Sequence, residues 1–181
     1  ITCRDWSSDV CSSDLAAQKI FTSIVTAHKN AETASFNLES AVKSASREFS
    51  KTGGIDRWRA AIGQMRQELV IYSESDLTAA AAKTINMTKR LGLSADQMEV
   101  VMRRTADIAA GKMPLADAIE RVTAALRGES EASEMLGLTL NESLIKERYE
   151  EMYQVQGKVW SRLTELEKAQ IRYNEIGRAH V

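Results

Sequence analysis

The sequence predicts an all-α fold, with long heptad-bearing helices followed by shorter capped helices in helical hairpins and no sheet. A single Pro in 181 residues favours long uninterrupted helices. Large apolar residues recur at helical spacing in the first half, whereas glycines and hydroxyl N-caps separate shorter apolar stripes in the second half. No stretch alternates apolar and polar residues for long enough to predict a strand.

The composition argues against several classes of protein. The 24 Lys and Arg residues against 25 Asp and Glu give a net charge of -1, which disfavours a strongly basic nucleic-acid binder or an acidic tail. The longest apolar runs, such as residues 69–72, fall far short of the ~18 residues that a transmembrane helix needs. No basic region followed by an apolar stretch opens the chain, so a secretory signal is not expected.

Residues 1–15 and 176–181 read as translated DNA that is not native to the protein. Residues 176–181 can be back-translated as ATC GGA AGA GCA CAC GTC, whose reverse complement encodes Asp-Val-Cys-Ser-Ser-Asp, the sequence of residues 9–14. Six residues at one end therefore encode the opposite strand of six residues at the other end. The string resembles a common sequencing adapter, and residues 4–8 resemble its upstream continuation.

We therefore expect the biological segment to be roughly 16–175, cut from a longer reading frame. Without the two ends the net charge becomes zero, because two basic and three acidic residues are removed. Cys3 and Cys11 also disappear, and His28 remains as the only histidine. One His without Cys cannot supply the usual zinc ligands within one copy, so neither a metal nor another cofactor is predicted.

Residues 16–52 are predicted to form one long heptad helix. Its apolar stripe follows steps of three and four residues, which is the spacing of a helix suited to a left-handed supercoil. The stripe consists of Phe21, Ile24, His28, Ala31, Ser35, Leu38, Val42, Ala45 and Phe49. It is weak in the middle, where small or polar residues replace large apolar ones.

Residues 53–91 form a second helical segment, which starts after the break at Gly53-Gly54. The same spacing recurs there at Ile55, Trp58, Ile62, Met65, Leu69 and Tyr72. The polar run of residues 73–76 either interrupts this helix or kinks it, and an alanine run then continues to Leu91.

Residues 92–175 are predicted to form short capped helices. A glycine ends each helix, and a hydroxyl residue followed three positions later by Glu or Gln begins the next. The predicted ends are Gly92, Gly111, Gly128 and Gly137, and the predicted capping boxes are Ser94 with Gln97, Thr139 with Glu142 and Thr164 with Glu167. Pro114 suits the first turn of a helix. The last helix is expected to carry Leu166, Ala169, Gln170 and Tyr173 on its stripe.

Residues that could carry catalysis are few. His28 lies on the weak part of the first stripe, so we interpret it as an interfacial residue and not as a catalytic or metal-binding one. Glu147, Glu150 and Glu151 alternate with basic residues on a helix, which indicates a solvated face. We predict no catalytic, cofactor-binding or metal-binding residue and no enzymatic activity.

The remaining candidates also have ordinary structural interpretations. The basic pairs Lys89-Arg90 and Arg103-Arg104 are too sparse to follow a phosphate backbone, so no sequence-specific nucleic-acid binding is expected. Gly53-Gly54 lacks the following Lys of a phosphate-binding loop. Trp58 and Trp160 are predicted core anchors. Methionines could build an adaptable groove, although core filling is favoured; they are Met98, Met102, Met113 and Met135.

Residues 77–175 carry a resemblance to a known family. The motifs occur in a fixed order and lie within residues 89–94, 118–129, 134–138 and 163–173, which read KRLGLS, AIERVTAALRGE, EMLGL and LTELEKAQIRY. This order resembles the tail tape measure proteins of tailed bacteriophages and prophages.

The resemblance implies a structural phage tail protein, a helical tape measure that fills the lumen of the tail tube and sets tail length during assembly. The implied partners are the tail tube protein and tail assembly chaperones, and a homo-oligomer is expected. The implied location is the virion tail, with the bacterial cytoplasm as the place of assembly.

Two alternatives stay open at this point. One is a helical scaffold or adaptor that binds partner helices through the heptad stripes. The other is an all-α enzyme domain, which would have to rely on Glu-based chemistry.

Overall fold

The computed structural model describes residues 7–45, 54–134, 142–153 and 160–179, and these residues are mostly helical without any strand. The helices are α1 (Ser7–Ser44), α2 (Gly54–Glu68), α3 (Glu74–Thr88), α4 (Ala95–Ala109), α5 (Leu115–Arg127), α6 (Ser130–Glu134), α7 (Glu142–Tyr153) and α8 (Glu165–Ala179). A 3-10 turn over Trp160–Arg162 precedes α8. The prediction of an all-α fold is confirmed. Helices α1 and α8 extend into the two ends that we interpret as adapter, and their helical state does not bear on that origin.

Helix α3 occupies the centre of the bundle and packs against α1, α2, α4 and α5. The side chains that α3 buries are largely small, which allows the neighbouring helices to approach closely. The buried apolar residues of α3 are Leu77, Ala80, Ala81, Ala82 and Ile85. The most extensive of its interfaces is the one with α1.

Four threonines are buried in the core without leaving a hydroxyl unsatisfied. Each Oγ1 donates a hydrogen bond to the carbonyl oxygen four residues earlier in its own helix, at 2.7–2.9 Å. They are Thr84, Thr88, Thr105 and Thr123.

The second heptad stripe lies in the core, but it extends beyond one helix. Trp58 and two further stripe residues of α2 are buried, whereas Leu69 and Tyr72 lie in the turn between α2 and α3 and are half-buried. The hydroxyl of Ser73 accepts a hydrogen bond from the backbone N–H of Asp76, whose carboxylate accepts one from the backbone N–H of Ser73. This capping box starts α3, so the polar run interrupts the helix and does not merely kink it.

The start and stop signals predicted for the shorter helices are largely confirmed. Ser94 with Gln97 and Thr164 with Glu167 form capping boxes at the starts of α4 and α8. Gly128 follows α5 in the left-handed conformation at φ +104°. Pro114 stands one position earlier than predicted, at the N-cap of α5. The predicted stop at Gly137 and the box at Thr139 lie outside the described residues.

Candidate protein-interaction surface

Helix α1 extends well beyond the bundle that its C-terminal part joins. Ser35 of α1 lines the same groove as Ser75 and Thr78 at the start of α3. At the other end, the Lys89 Nζ just after α3 donates to Ser44 Oγ at 3.1 Å. The two helices therefore run in the same direction, and α3 begins opposite residues 31–35. Residues 15–30, which we call the overhang, are all exposed and span roughly 24 Å.

The overhang carries the same apolar stripe as the packed part of α1, but without a cover. In the bundle, Leu38 is only 1% exposed and Val42 is also buried. On the overhang, Phe21 is 69% exposed and Ile24 is 61% exposed. Ile24 and Leu38 are two heptads apart, and Phe21 and Val42 are three heptads apart, so the two pairs belong to one stripe.

Four large apolar side chains form this uncovered surface, which we call the overhang face. Its members are Ile20, Phe21, Ile24 and Val25. All four side chains are exposed, and the extensive contacts of α1 among the described residues are those with α3 and α2. Contiguous exposed apolar residues of this kind mark sites of protein–protein association.

A groove lies where the overhang meets the bundle. It is bounded by α1, α2 and the start of α3 and has a volume of about 570 Å³. Ala31 and Ser35 line it, so it continues the overhang face toward the core. Arg59 forms its α2 wall and donates to Glu39 Oε1 at 2.9 Å. The overhang face and the groove together offer an apolar track that ends at a polar rim, which is the usual make-up of an interface.

The structure does not bring together His28 with Glu147 or Glu150, the described members of the acid–base candidates. His28 lies on the exposed overhang, with its Nε2 3.4 Å from Glu32 Oε1 in the next turn. Glu147 is exposed on α7 and Glu150 is half-buried, and the side chain of Glu151 is outside the described set. Within the described part of the chain, no cluster of three or more His, Cys, Asp or Glu residues could hold a metal ion.

One member of each basic pair takes part in a contact between helices. Arg103 of α4 forms an ion pair with Glu68 at the end of α2 and lies 3.6 Å from Glu99. Lys89 donates a hydrogen bond to Ser44 and so connects the end of α1 to the end of α3.

The two predicted tryptophans and two of the four methionines lie in the core, as predicted. Trp58 and Trp160 are both buried, which confirms them as core anchors. Met98 and Met102 are also buried, so they fill the core and do not form a groove. Met113 is half-buried against the core, and Met135 lies outside the described residues.

Three of the motifs that carry the family resemblance meet on α8. Gly92, from the first motif, approaches the side chain of Leu166, and a Cβ added at Gly92 would lie 3.5 Å from its Cδ2. Gly128 approaches Arg172 still more closely, because a Cβ there would lie 2.7 Å from Nη2. These motifs thus belong to a packing arrangement in which α8 lies against the turn after α3 and the end of α5.

Arg172 joins three helices and was not identified from the sequence. Its side chain is almost fully buried, and Nη1 donates to the carbonyl oxygen of Leu126 at the end of α5 at 3.2 Å. Nη2 donates to Glu142 Oε1 at the start of α7 at 3.0 Å. The guanidinium also lies over the Trp160 ring, 5.8 Å from its centroid. A cation beside the last carbonyls of α5 is favourable both as a hydrogen-bond donor and as a charge.

The apolar stripe of α8 therefore differs from the predicted one. Ala169, Arg172 and Ile176 are buried, whereas Leu166 is half-exposed. The steps of three and four residues that join these positions were the sequence signal for the buried face of α8. The signal was missed because a charged residue is ordinarily assigned to the exposed side of a helix. Satisfaction of the guanidinium by a helix end and a carboxylate explains the exception.

Comparison of the chain with protein-family models, curated proteins and solved structures finds no match. The resemblance to tape measure proteins consequently stays a prediction. None of the helices among the described residues is both long and apolar enough to cross a bilayer.

Proposed function

We propose that the chain is a segment of a structural phage tail protein, a helical tape measure that sets tail length and has no enzymatic activity of its own. The observation that supports this proposal most is the overhang, because a helix with an uncovered apolar face is built to associate with other helices. The ordered motifs of residues 77–175 supply the link to this family.

A tape measure acts through the length of its chain. A continuous helix advances 1.5 Å per residue, so the number of residues between two fixed points determines the distance it spans. In the free chain, α2 to α5 fold back on one another, and α8 packs against α5 and α7. In the tail tube the same helices would lie end to end, in contact with the tube protein, after release from assembly chaperones.

Tail length tests this proposal directly. Removal of residues 94–128 from the complete gene is expected to shorten virion tails by about 53 Å, at 1.5 Å per residue. Electron micrographs of purified virions give the lengths. Gly128→Ala is a suitable control, because it disturbs the folded bundle without changing the number of residues and is expected to leave tail length unaltered. Tails of unchanged length in the deletion would contradict the ruler.

A helical scaffold or adaptor is the second candidate, and the groove between α1, α2 and α3 favours it. Such a groove could receive one end of a partner helix that lies along the overhang. The neighbouring genes separate the two candidates. Major tail protein and tail assembly chaperone genes upstream support the tape measure, and their absence supports the adaptor.

A further inference from the structure

Three basic side chains from two helix ends share one cavity, which we call the basic cavity. It lies where α3 and α5 end and has a volume of about 540 Å³. Its lining consists of Asn86, Met87, Lys89, Arg90, Leu91 and Arg127. We infer that the basic cavity binds a small organic phosphomonoester, with the phosphate among the three cations. This inference concerns a ligand site and does not depend on the tail-length proposal.

The packing of α3 against α5 brings these cations together. Lys83 of α3 forms an ion pair with Glu120 of α5, and each helix ends within two turns of this pair. The two helices therefore run in the same direction, and their C-terminal ends lie side by side. Arg127 thus joins Lys89 and Arg90, which form only an isolated basic pair in the sequence.

The cations of the basic cavity lack the carboxylate partners that basic side chains have elsewhere in the bundle. Arg59, for example, forms an ion pair with Glu39 across the α1–α2 interface. None of the residues that line the basic cavity is acidic. Within the part of the chain that the structure describes, neither Arg90 nor Arg127 forms an ion pair. Their positive charges are therefore available to an anionic ligand.

Lys89 is held at the wall of the cavity by two neutral acceptors. Its Nζ donates to Ser44 Oγ at 3.1 Å and to Asn86 Oδ1 at 3.2 Å. An ammonium group has three N–H donors, so one donor remains for a ligand. Because both acceptors are uncharged, they position the ammonium group without neutralising it. A cation that is already in place loses less conformational entropy when a ligand binds.

The charge of the basic cavity exceeds what the helix ends explain. The C-terminal end of a helix carries about −0.5 charge, so two ends offset about one of the three cations. The remaining charge of about +2 matches a phosphomonoester, which carries about −1.5 to −2 near neutral pH. A phosphodiester or a carboxylate carries a single negative charge and would match it less well. The forked guanidinium groups of Arg90 and Arg127 also suit paired hydrogen bonds to phosphate oxygens.

The size and the apolar part of the cavity indicate that the phosphate carries an organic group. A volume of about 540 Å³ is typical of small-molecule sites and is more than a phosphate ion alone would fill. Met87 and Leu91 are half-buried against the core and place apolar side chains beside the cations. They offer a contact surface to the organic group, whereas the cations hold the phosphate.

Isothermal titration calorimetry with matched ligands tests the class of ligand. Adenosine monophosphate is the probe, and it is expected to bind at low ionic strength with a Kd below ~1 mM. Its cyclic phosphodiester has the same organic group with one negative charge, and its Kd should be at least ~10-fold higher. Adenosine, which has no phosphate, should not bind. Inorganic phosphate, which has no organic group, should bind more weakly than the monophosphate.

Substitution of the two arginines tests the place of the site. Arg90→Gln and Arg127→Gln should each raise the Kd of the monophosphate about 10-fold or more, because each removes charge-assisted hydrogen bonds to the phosphate. Both side chains are exposed, so the fold should persist, and circular dichroism checks this. Arg104→Gln is the matched control, since Arg104 carries the same charge on α4 outside the cavity lining. It should change the Kd less than ~2-fold.

Five results would overturn the inference. The absence of saturable monophosphate binding below ~1 mM excludes the site. Equal weakening by Arg90→Gln and Arg104→Gln identifies attraction to the overall charge. Equal affinity for the cyclic diester excludes recognition of a dianion, and equal affinity for inorganic phosphate excludes the contact with Met87 and Leu91. A single-stranded oligonucleotide that binds more tightly per phosphate than the monophosphate identifies a nucleic acid as the ligand.

The ligand site and the ruler are tested by different measurements. Calorimetry reports on the basic cavity of the chain in solution, whereas the deletion in the complete gene reports on tail length. None of the calorimetric results alters the tail length expected for the deletion, so the two proposals fail independently.

Discussion

The two parts of α1 carry one heptad pattern and have opposite environments. Leu38 and its neighbours are buried against α3, whereas Phe21 and Ile24 project from the bundle with most of their surface exposed. The difference arises because α3 begins opposite residues 31–35 and α1 continues past it. A heptad pattern thus indicates that a face is suited to packing, but the length of the neighbouring helix decides whether the chain itself supplies the cover.

Truncation of one side chain in each part of α1 should give the largest difference in the free energy of unfolding. Leu38→Ala is expected to lower the free energy of unfolding by about 3 kcal/mol, because it leaves a cavity between α1 and α3. Phe21→Ala should change it by less than ~0.5 kcal/mol in dilute protein, where the overhang face is unpaired. Urea unfolding at low concentration measures both. Equal losses would show that the overhang is packed within a single chain.

Gly128→Ala tests whether the other end of the bundle is packed as closely as the α1–α3 interface. We expect a loss of about 2 kcal/mol, since a side chain is strained at φ +104° and its Cβ would displace the buried guanidinium of Arg172. Gly63→Ala in α2 is the control, because nothing lies within 4 Å of an added Cβ there. It should stabilise the chain by ~0.5–1 kcal/mol through helix propensity. A loss at both positions would contradict the close approach at Gly128.

Two serines extend the comparison to single hydrogen bonds. Ser73→Ala removes the N-cap of α3 and is expected to cost about 1 kcal/mol. Ser23→Ala on the overhang removes a hydroxyl that only bonds back to the Ile20 carbonyl, so it should be neutral or slightly stabilising. Thermal unfolding at matched concentration separates the two. A loss confined to Ser23→Ala would contradict the assignment of Ser73 as the cap.

The smallest expected effect concerns pH and an ion pair within α8. A hydrogen bond from Lys168 lowers the pKa of the exposed Glu165 below its usual value. A carboxylate with a lowered folded-state pKa stabilises the fold above its unfolded pKa of about 4.3, and the contribution is lost as the pH falls through the folded value. Unfolding measured between pH 6 and pH 3 should therefore be slightly less pH-dependent in Glu165→Gln than in the wild type. A steeper dependence in the variant would contradict the assignment.

Sequence reasoning predicted most of the local structure. The box at Ser94 and Gln97 and the left-handed Gly128 were found because a few neighbouring residues determine them. The sequence did not decide whether the polar run at Ser73 kinks one helix or separates two, because it fits both. The structure decides it, since α3 folds back on α2.

The features that depend on distant residues were not predictable in the same way. The exposure of Phe21 follows from where α3 starts, and no pattern within α1 contains that information. Arg172 was missed because its partners, the Leu126 carbonyl and Glu142, lie 46 and 30 residues away along the chain. Only the fold shows that a charged residue on the stripe of α8 finds a helix end and a carboxylate to satisfy it.

Hydrogen–deuterium exchange along α1 in dilute protein tests the central claim most directly. The claim is that, among the described residues, α3 covers the apolar stripe only in the C-terminal part of α1 and leaves residues 16–30 uncovered. The amides of residues 16–30 should therefore exchange much faster than those of residues 34–44 and of α3. Equal protection along the whole of α1 would contradict it.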